Sequence, residues 1–303
     1  MALREKIKSG QFVVCGELSP PQSCDAGVIR DKAKYFRGYV DAVNVTDNQT
    51  ATVRLSSIVS AKILLDMGLE PIMQMTCRDR NRLAMQSDLL GAAALGIRNV
   101  LCLTGDHQML GDQPEAKGVF DLDSIQLIAA VHTMNQGFLL SGNTLKVAPD
   151  FLIGGAANPF AQPLEMRLIR LQTKINAGAH FIQTQPVFDL TLFARWMDKV
   201  VEMGLHDKTA ILAGVMPARS AKALQAVKER VSGMRIPDEY VERMNRARDP
   251  EREGIAMAVD IIRALRTMKG VHGIHLMPAM WESSIPAIIE GAGLCQRPGK
   301  EGS

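Results

Sequence analysis

Short apolar runs alternate with helix-period patterns along almost the whole chain, and several of the runs end on a polar residue. Phe12 to Glu17 (FVVCGE) stops at a carboxylate, Val40 to Asp47 (VDAVNVTD) at Thr46 and Asp47, and Ile72 to Cys77 (IMQMTC) at Thr76. Val100 to Asp106 (VLCLTGD) ends at Asp106, and Phe181 to Gln185 (FIQTQ) at Gln185. Strands are expected at 12–18, 40–46, 71–76, 98–104, 150–156, 180–185, 210–216 and 271–277. Helical spacing separates them: Leu164, Leu168, Leu171 and Ile175 recur every three to four residues, between Pro163 and Gly178. Asp189 heads a helix carrying Leu192, Phe193, Trp196 and Val200, stopped by Gly204; Asp249 and Pro250 open one that ends at Gly270. Strands alternating with helices imply βαβ crossovers and a parallel sheet. Eight such units, with no GxGxxG after an early strand, predict an α/β fold of the (β/α)8 TIM-barrel type, one domain over residues 1–303. All carboxyl ends of the strands then share one face, where barrel enzymes keep their chemistry.

The lone glycine doublet, Gly154-Gly155, reads as a tight turn. Residues 107–121 form a long polar loop and 231–249 an extra helical stretch, while the end after Leu294 reads as a frayed tail. Net charge is +3 with the basic residues scattered, which argues against nucleic acid. The five cysteines include no CxxC pair, so neither a disulfide framework nor a zinc or iron–sulfur site is expected in this chain. No apolar signal core opens the sequence, and the uncharged stretch Ser124–Leu145 is too polar to span a membrane. These features predict a soluble cytoplasmic protein.

Glu17 sits in GELSPP among Val13, Val14, Cys15 and Leu18. Apolar neighbours would raise its pKa and suit it to general-acid work; the alternative is an ion-paired rim carboxylate. On spacing alone Asp106 reads as a turn or N-cap aspartate, although Gly105 before it permits close approach of a ligand. Gln183 and Gln185 share one strand face, and Gln185 offers a donor and an acceptor to a flat heterocycle. Lys174, late in its helix, reads as solvated. His107 is the best placed histidine, yet no HxH or HExxH spacing supports a metal; His132, His180, His206, His272 and His275 read as ordinary.

Taken together, GELSPP, DAVNVTDN, the QMTC strand end, LTGD, AGAHFIQTQPVFD, GVMPARS with MRIP downstream, and GIHLMP resemble the methylenetetrahydrofolate reductase family, in that family's order and spacing. The resemblance implies a flavin-containing barrel that interconverts 5,10-methylenetetrahydrofolate and 5-methyltetrahydrofolate by hydride transfer from flavin N5. It implies Glu17 as general acid, Asp106 as the aspartate beside flavin and pterin, and Gln185 as the pterin-binding amide. Thr46, Gly105 and Lys174 match flavin-contacting positions. Gln74 and Asn158 stand where many members carry flavin-side histidines, and Thr104 where an arginine is common. With fewer cations facing a diphosphate, FMN stands as a candidate beside FAD.

Ala221 stands where NADH-using members carry a stacking phenylalanine, and Trp281 where a substrate-side arginine is found. Loss of such a ring contact removes about 1 kcal/mol. Direct NAD(P)H use is therefore not expected. Electrons are instead expected from an iron–sulfur and zinc partner subunit, as in members from anaerobes, with an oligomeric assembly. The alternatives are a catalytically weak barrel that serves as a docking scaffold in an electron-transfer complex, and a flavin-free pterin-handling barrel.

Overall fold

The computed structural model describes residues 2–230 and 234–294, so Cys295 and the expected frayed tail lie outside the described residues. Eight parallel strands close in sequential order, with β1 hydrogen-bonded to β8. They are β1 Val13–Leu18, β2 Ala42–Val45, β3 Pro71–Thr76, β4 Asn99–Leu103, β5 Leu152–Ala157, β6 Phe181–Pro186, β7 Ala210–Val215 and β8 Val271–Leu276. Each falls on an expected run, displaced by at most two residues at an end. At the start of β2 the Asp41 N–H donates to Val14 O at 2.7 Å, while its carboxylate accepts from Val14 N (2.8 Å) and pairs with Lys6.

Side-chain alternation along the strands divides the core in two. Inward positions Val13, Cys15, Ala42, Ile72, Leu101, Leu152, Phe181, Ala210 and Leu212 pack together inside the barrel. The opposite positions (Val14, Val43, Met73, Val100, Ile153, Ile182, Ile211, Ile274) pack against the surrounding helices. The short helix Leu3–Lys8, unmarked by any pattern strong enough to predict it, brings Leu3 and Ile7 onto the inner cluster. Helix ends follow the expected chemistry. Asp189 accepts from Leu192 N at 2.9 Å and Asp249 from Arg252 N at 3.1 Å, while Gly178, Gly204 and Gly270 take positive φ just past three helices. The 231–249 stretch contains a helix at Asp238–Arg246, its first residues lying outside the described ones. No described helix is long and apolar enough to cross a membrane.

The Gly154-Gly155 doublet is not a turn. Both residues lie within β5, and the reason is packing: a Cβ on Gly154 would stand 2.2 Å from the ring of Phe181, which fills the barrel interior. A Cβ on Gly155 would point outward, 3.1 Å from the flexible end of Ile128. Gly154→Ala is therefore expected to destabilise by about 1–3 kcal/mol through overpacking, and Gly155→Ala by much less. Urea unfolding of the two variants checks this; equal midpoints would refute it.

Candidate active site

Polar residues on the inner face are concentrated at the carboxyl ends of the strands, and there they line two adjoining cavities. The first, about 320 Å³, is bordered by Glu17, Thr46, Gln74, Thr104, Gly105, Asp106 and Gln185, among others. The second, about 230 Å³, is bordered by Thr104, Ser124, Asn158, Arg167, Arg170, Lys174 and Gln185. Leu103, Thr104 and Gln185 line both. The nine residues expected to serve as acid or to contact flavin or folate (Glu17, Thr46, Gln74, Thr104, Gly105, Asp106, Asn158, Lys174 and Gln185) thus lie around one composite opening, although they come from six strand ends and one helix. Gln183, His107, Ala221 and Trp281 line neither cavity.

Glu17 is the centre of the first cavity. Its Oε2 is 3.2 Å from His275 Nε2 and 3.3 Å from Gln74 Nε2. Asn44 Nδ2 lies 3.1 Å from His275 Nδ1. With Asn44 donating to Nδ1, the imidazole keeps its proton on Nε2 and donates it to Glu17. Both donors converge on Oε2, which leaves Oε1 clear of them. The apolar surroundings expected for this carboxyl are not what it meets. Val14 and Leu18 face the helices, and polar donors border the side chain, which is 18% exposed. His275, read as an ordinary histidine, is in fact 3% exposed and part of this chain of contacts. Its signal was strand period: it follows inward-facing Gly273 by two residues and pairs with Cys15, one inward step from Glu17.

Asp106 lies across the opening. Its Oδ2 accepts from Thr50 N at 3.2 Å, and its carbonyl accepts from Arg78 Nη1 at 3.1 Å. Gly105, at φ +91°, is required at the bend, since a Cβ would stand 3.1 Å from both Thr76 and Arg78 side chains. Arg78, only 2% exposed, also donates to Asn48 O at 3.1 Å and pairs with Asp79 at 2.7 Å. It thereby ties the Asp106 bend to residues 48–51, where Asn48, Thr50 and Ala51 all have positive φ. Asp47, by contrast, is consumed structurally: it accepts from Thr76 N and Oγ1 at 2.9 and 3.0 Å and from Arg80 at 2.7 and 3.2 Å. Thr46 Oγ1 is bonded to Gln49, and Thr104 Oγ1 accepts from Ser124 N at 3.1 Å, at the start of helix Ser124–Asn135.

The second cavity is cationic. Lys174, expected to be solvated, is 8% exposed and donates to Ala156 O at 2.6 Å. Burial, helped by the nearby Arg170 charge, pushes its pKa down to about 8. Arg167 Nε is buried without a partner, and no carboxylate lines this cavity. The set Arg167, Arg170 and Lys174 suits an anion. The two arginines were missed, yet the spacing 167, 170, 174 is that of one helix face. Asn158 Oδ1 accepts from Phe160 N at 2.9 Å at the rim. Among the described residues no group of three His, Cys, Asp or Glu could hold a metal ion.

The profile of the family described as "Methylenetetrahydrofolate reductase" matches residues 2–293. "Methylenetetrahydrofolate reductase 1" of Schizosaccharomyces pombe is 25% identical over 77% of this chain, which spans 37% of that relative's length. "5,10-methylenetetrahydrofolate reductase" of Pectobacterium carotovorum is 26% identical, covering 88% of this chain and 85% of the relative. Among solved structures, a Clostridium thermocellum protein described as binding two copies of 5-methyl-5,6,7,8-tetrahydrofolic acid superposes with a TM-score of 0.66. It is 16% identical, with 96% of this chain and 97% of that one covered, and the likeness is one of fold.

Lys174 supplies a test of the cationic cavity. Its folded pKa, about 8, lies below the ordinary 10.5. Stability therefore rises as pH climbs from 8 to 10.5, where only the unfolded chain keeps the proton. Below pH 8 the buried ammonium costs about 3 kcal/mol. Lys174→Met should raise the melting temperature of the ligand-free protein at pH 7 and gain less relative to the parent at pH 10. A lower melting temperature at pH 7 would show the ammonium to be a net stabiliser.

Proposed function

Since the chain belongs to the methylenetetrahydrofolate reductase family, we propose that it is a flavin-dependent reductase, a single barrel domain that interconverts 5,10-methylenetetrahydrofolate and 5-methyltetrahydrofolate. The observation that carries the reading is the grouping of Glu17, Asp106 and Gln185 around one cavity. Glu17 acts as general acid: Oε1 delivers a proton to the folate amine as the five-membered ring opens. His275 and Gln74 hold Oε2, so the carboxyl turns one oxygen toward the substrate. The opened ring carries positive charge, and the Asp106 carboxylate, fixed by the Thr50 N–H, stabilises it. Gln185 lines both cavities and so borders substrate and cofactor alike, offering its amide to the pterin edge.

The residues fit a flavin. Arg167 Nε, buried and unpartnered, and Lys174, buried and short of a counter-charge, await an anionic group such as the phosphate-bearing arm. Thr46, Gln74, Thr104, Gly105 and Asn158 would border the remainder. When bound, the reduced flavin supplies the hydride to the methylene carbon. Arg167 and Arg170 add the cations whose loss at Thr104 kept FMN in contention, and this favours FAD. Mass analysis of the cofactor released on denaturation decides between them.

The electron donor is read as a partner protein, an iron–sulfur and zinc subunit, because Ala221 offers no ring to a nicotinamide. Purified chain offered NADH, NADPH and reduced viologen should accept electrons rapidly from viologen alone; rapid reduction by NADH would end the partner idea.

Glu17→Gln retains the donors' acceptor atom but cannot release a proton as an acid. Reduction of methylenetetrahydrofolate should fall 10²–10⁴-fold, with the flavin spectrum and flavin affinity retained. An unchanged turnover would remove Glu17 from the acid role, whereas a parent protein that binds flavin but does not turn over would favour the scaffold alternative.

A further inference from the structure

The opposite end of the barrel carries a second concentration of chemistry. A cavity of about 300 Å³ at the amino ends of the strands is lined by Arg4, Lys8, His180, His206, Lys208 and His272, and by one carboxylate, that of Asp207. His180, immediately before β6, and His272, the second residue of β8, are placed alike. Each turns Nδ1 to the backbone N–H of the preceding strand, His180 to Ile153 N at 3.0 Å and His272 to Ile211 N at 3.2 Å. Accepting at Nδ1 fixes the neutral ring's proton on Nε2, which makes His180 an N–H donor, while His272 also has a hydrogen bond with Gly270. His206 Nδ1 is buried without a partner.

Two ordinary explanations do not account for this group. A metal site is not formed, since no three ligating groups converge among the described residues. Nor are the cations needed to complement helix C-termini. The helix ending at Asn176 is closed by Gly178 N to Ile175 O (3.0 Å) and Ala179 N to Lys174 O (3.1 Å). The helix ending at Glu202 is closed by Gly204 N to Val201 O (2.9 Å) and Leu205 N to Val200 O (3.0 Å). Arg4 is held by Asp150 at 2.7 Å and Asp207 lies 3.4 Å from His206, but Lys8 and Lys208 have no carboxylate within ion-pairing distance among the described residues.

We propose that the amino-terminal mouth of the barrel is a binding site for a small multivalent oxyanion, held by Lys8 and Lys208, by the fixed imidazole donor of His180 and by the His272 ring beside it. It is independent of the reductase site on the opposite face. Bound there, such an anion ties the amino-terminal helix, through Lys8, to the β6, β7 and β8 ends. The electrostatics agree: His180 is held low by burial and by Arg4, His132 and Lys8, against Asp150, and His272 by burial and His206, against Asp207 and a hydrogen bond with Gly270. An arriving anion offsets those cations, so binding takes up protons and strengthens as pH falls.

The test is calorimetric titration of the purified full chain with inorganic pyrophosphate and, separately, with citrate. Saturable binding weakened at least tenfold by Lys8→Glu with Lys208→Glu, and kept when Arg167→Ala and Arg170→Ala are introduced instead, supports the site. A response to pyrophosphate alone assigns it to phosphate-bearing ligands, and one to citrate alone to polycarboxylates. No saturable binding of either anion, or binding lost with the arginine pair and kept with the lysine pair, overturns it. On the unaltered protein, imidazole resonances of His180 and His272 should titrate at higher pH with the bound anion; unmoved midpoints also overturn the proposal.

Discussion

Closure of the parallel sheet is the constraint on which everything else depends. In a closed barrel every second side chain is forced inward, with no edge to which a misfit could be displaced. The lower inward positions (Val13, Cys15, Ala42, Ile72, Leu101, Leu152, Phe181, Leu212) are therefore apolar and pack on one another. Polar side chains gather at the uppermost inward positions, where they meet solvent or one another, apart from Asn99 at the foot of β4, whose amide donates to Glu70 and to Pro71 O at 3.0 Å. Glu17, Asn44, Thr46, Gln74, Gln185 and His275 occupy those places, and closure brings them together from β1, β2, β3, β6 and β8. Convergence of residues distant in sequence needs no additional device beyond period-two alternation and ring closure.

Within that ring, the number of donors each carboxylate meets separates scaffold from chemistry. Asp47 accepts four hydrogen bonds from Thr76 and Arg80, and Asp41 is met by Val14 N and Lys6; neither keeps an oxygen for a ligand. Such buried carboxylates are tolerable because they are fully paired. Glu17 is bonded at one oxygen alone, and Asp106 accepts a single backbone donor on Oδ2. Unspent acceptor capacity at the rim of a cavity is what a group waiting for a ligand shows. The same criterion picks out Arg167, whose buried Nε lacks an acceptor, on the cationic side.

The strands were legible because apolar runs of strand length between turn signals leave few other readings. Helix boundaries were legible where a cap carried them, as at Asp189, Asp249 and Gly178. What escaped depended on the third dimension. Gly154-Gly155 resembles a turn until Phe181 from the neighbouring strand is seen to occupy the space. The surroundings of Glu17 were misjudged because sequence neighbours on a strand point to opposite faces. Val14 and Leu18 never touch its carboxylate, whereas His275, 258 residues away, does. Arg167 and Arg170 stood on the face of Lys174 and could have been found by carrying helical spacing back from it.

The Asp106 rim shows how the fold offsets local strain. Thr50, a β-branched residue at φ +55°, occupies a conformation costing on the order of 1–3 kcal/mol. It is held there from several sides. Arg78 grips Asn48 O, Asn48 Oδ1 accepts from Arg54 N at 2.9 Å, and Gly111 packs so close to Ala51 O that a Cβ would stand 1.8 Å from it. In that strained turn the Thr50 N–H faces the Asp106 carboxylate, while a single buried guanidinium, that of Arg78, anchors the carbonyl groups of Asp106 and of Asn48. A relaxed turn would lose this alignment, so the strain and the clamp are one arrangement that presents a fixed negative charge at the barrel mouth.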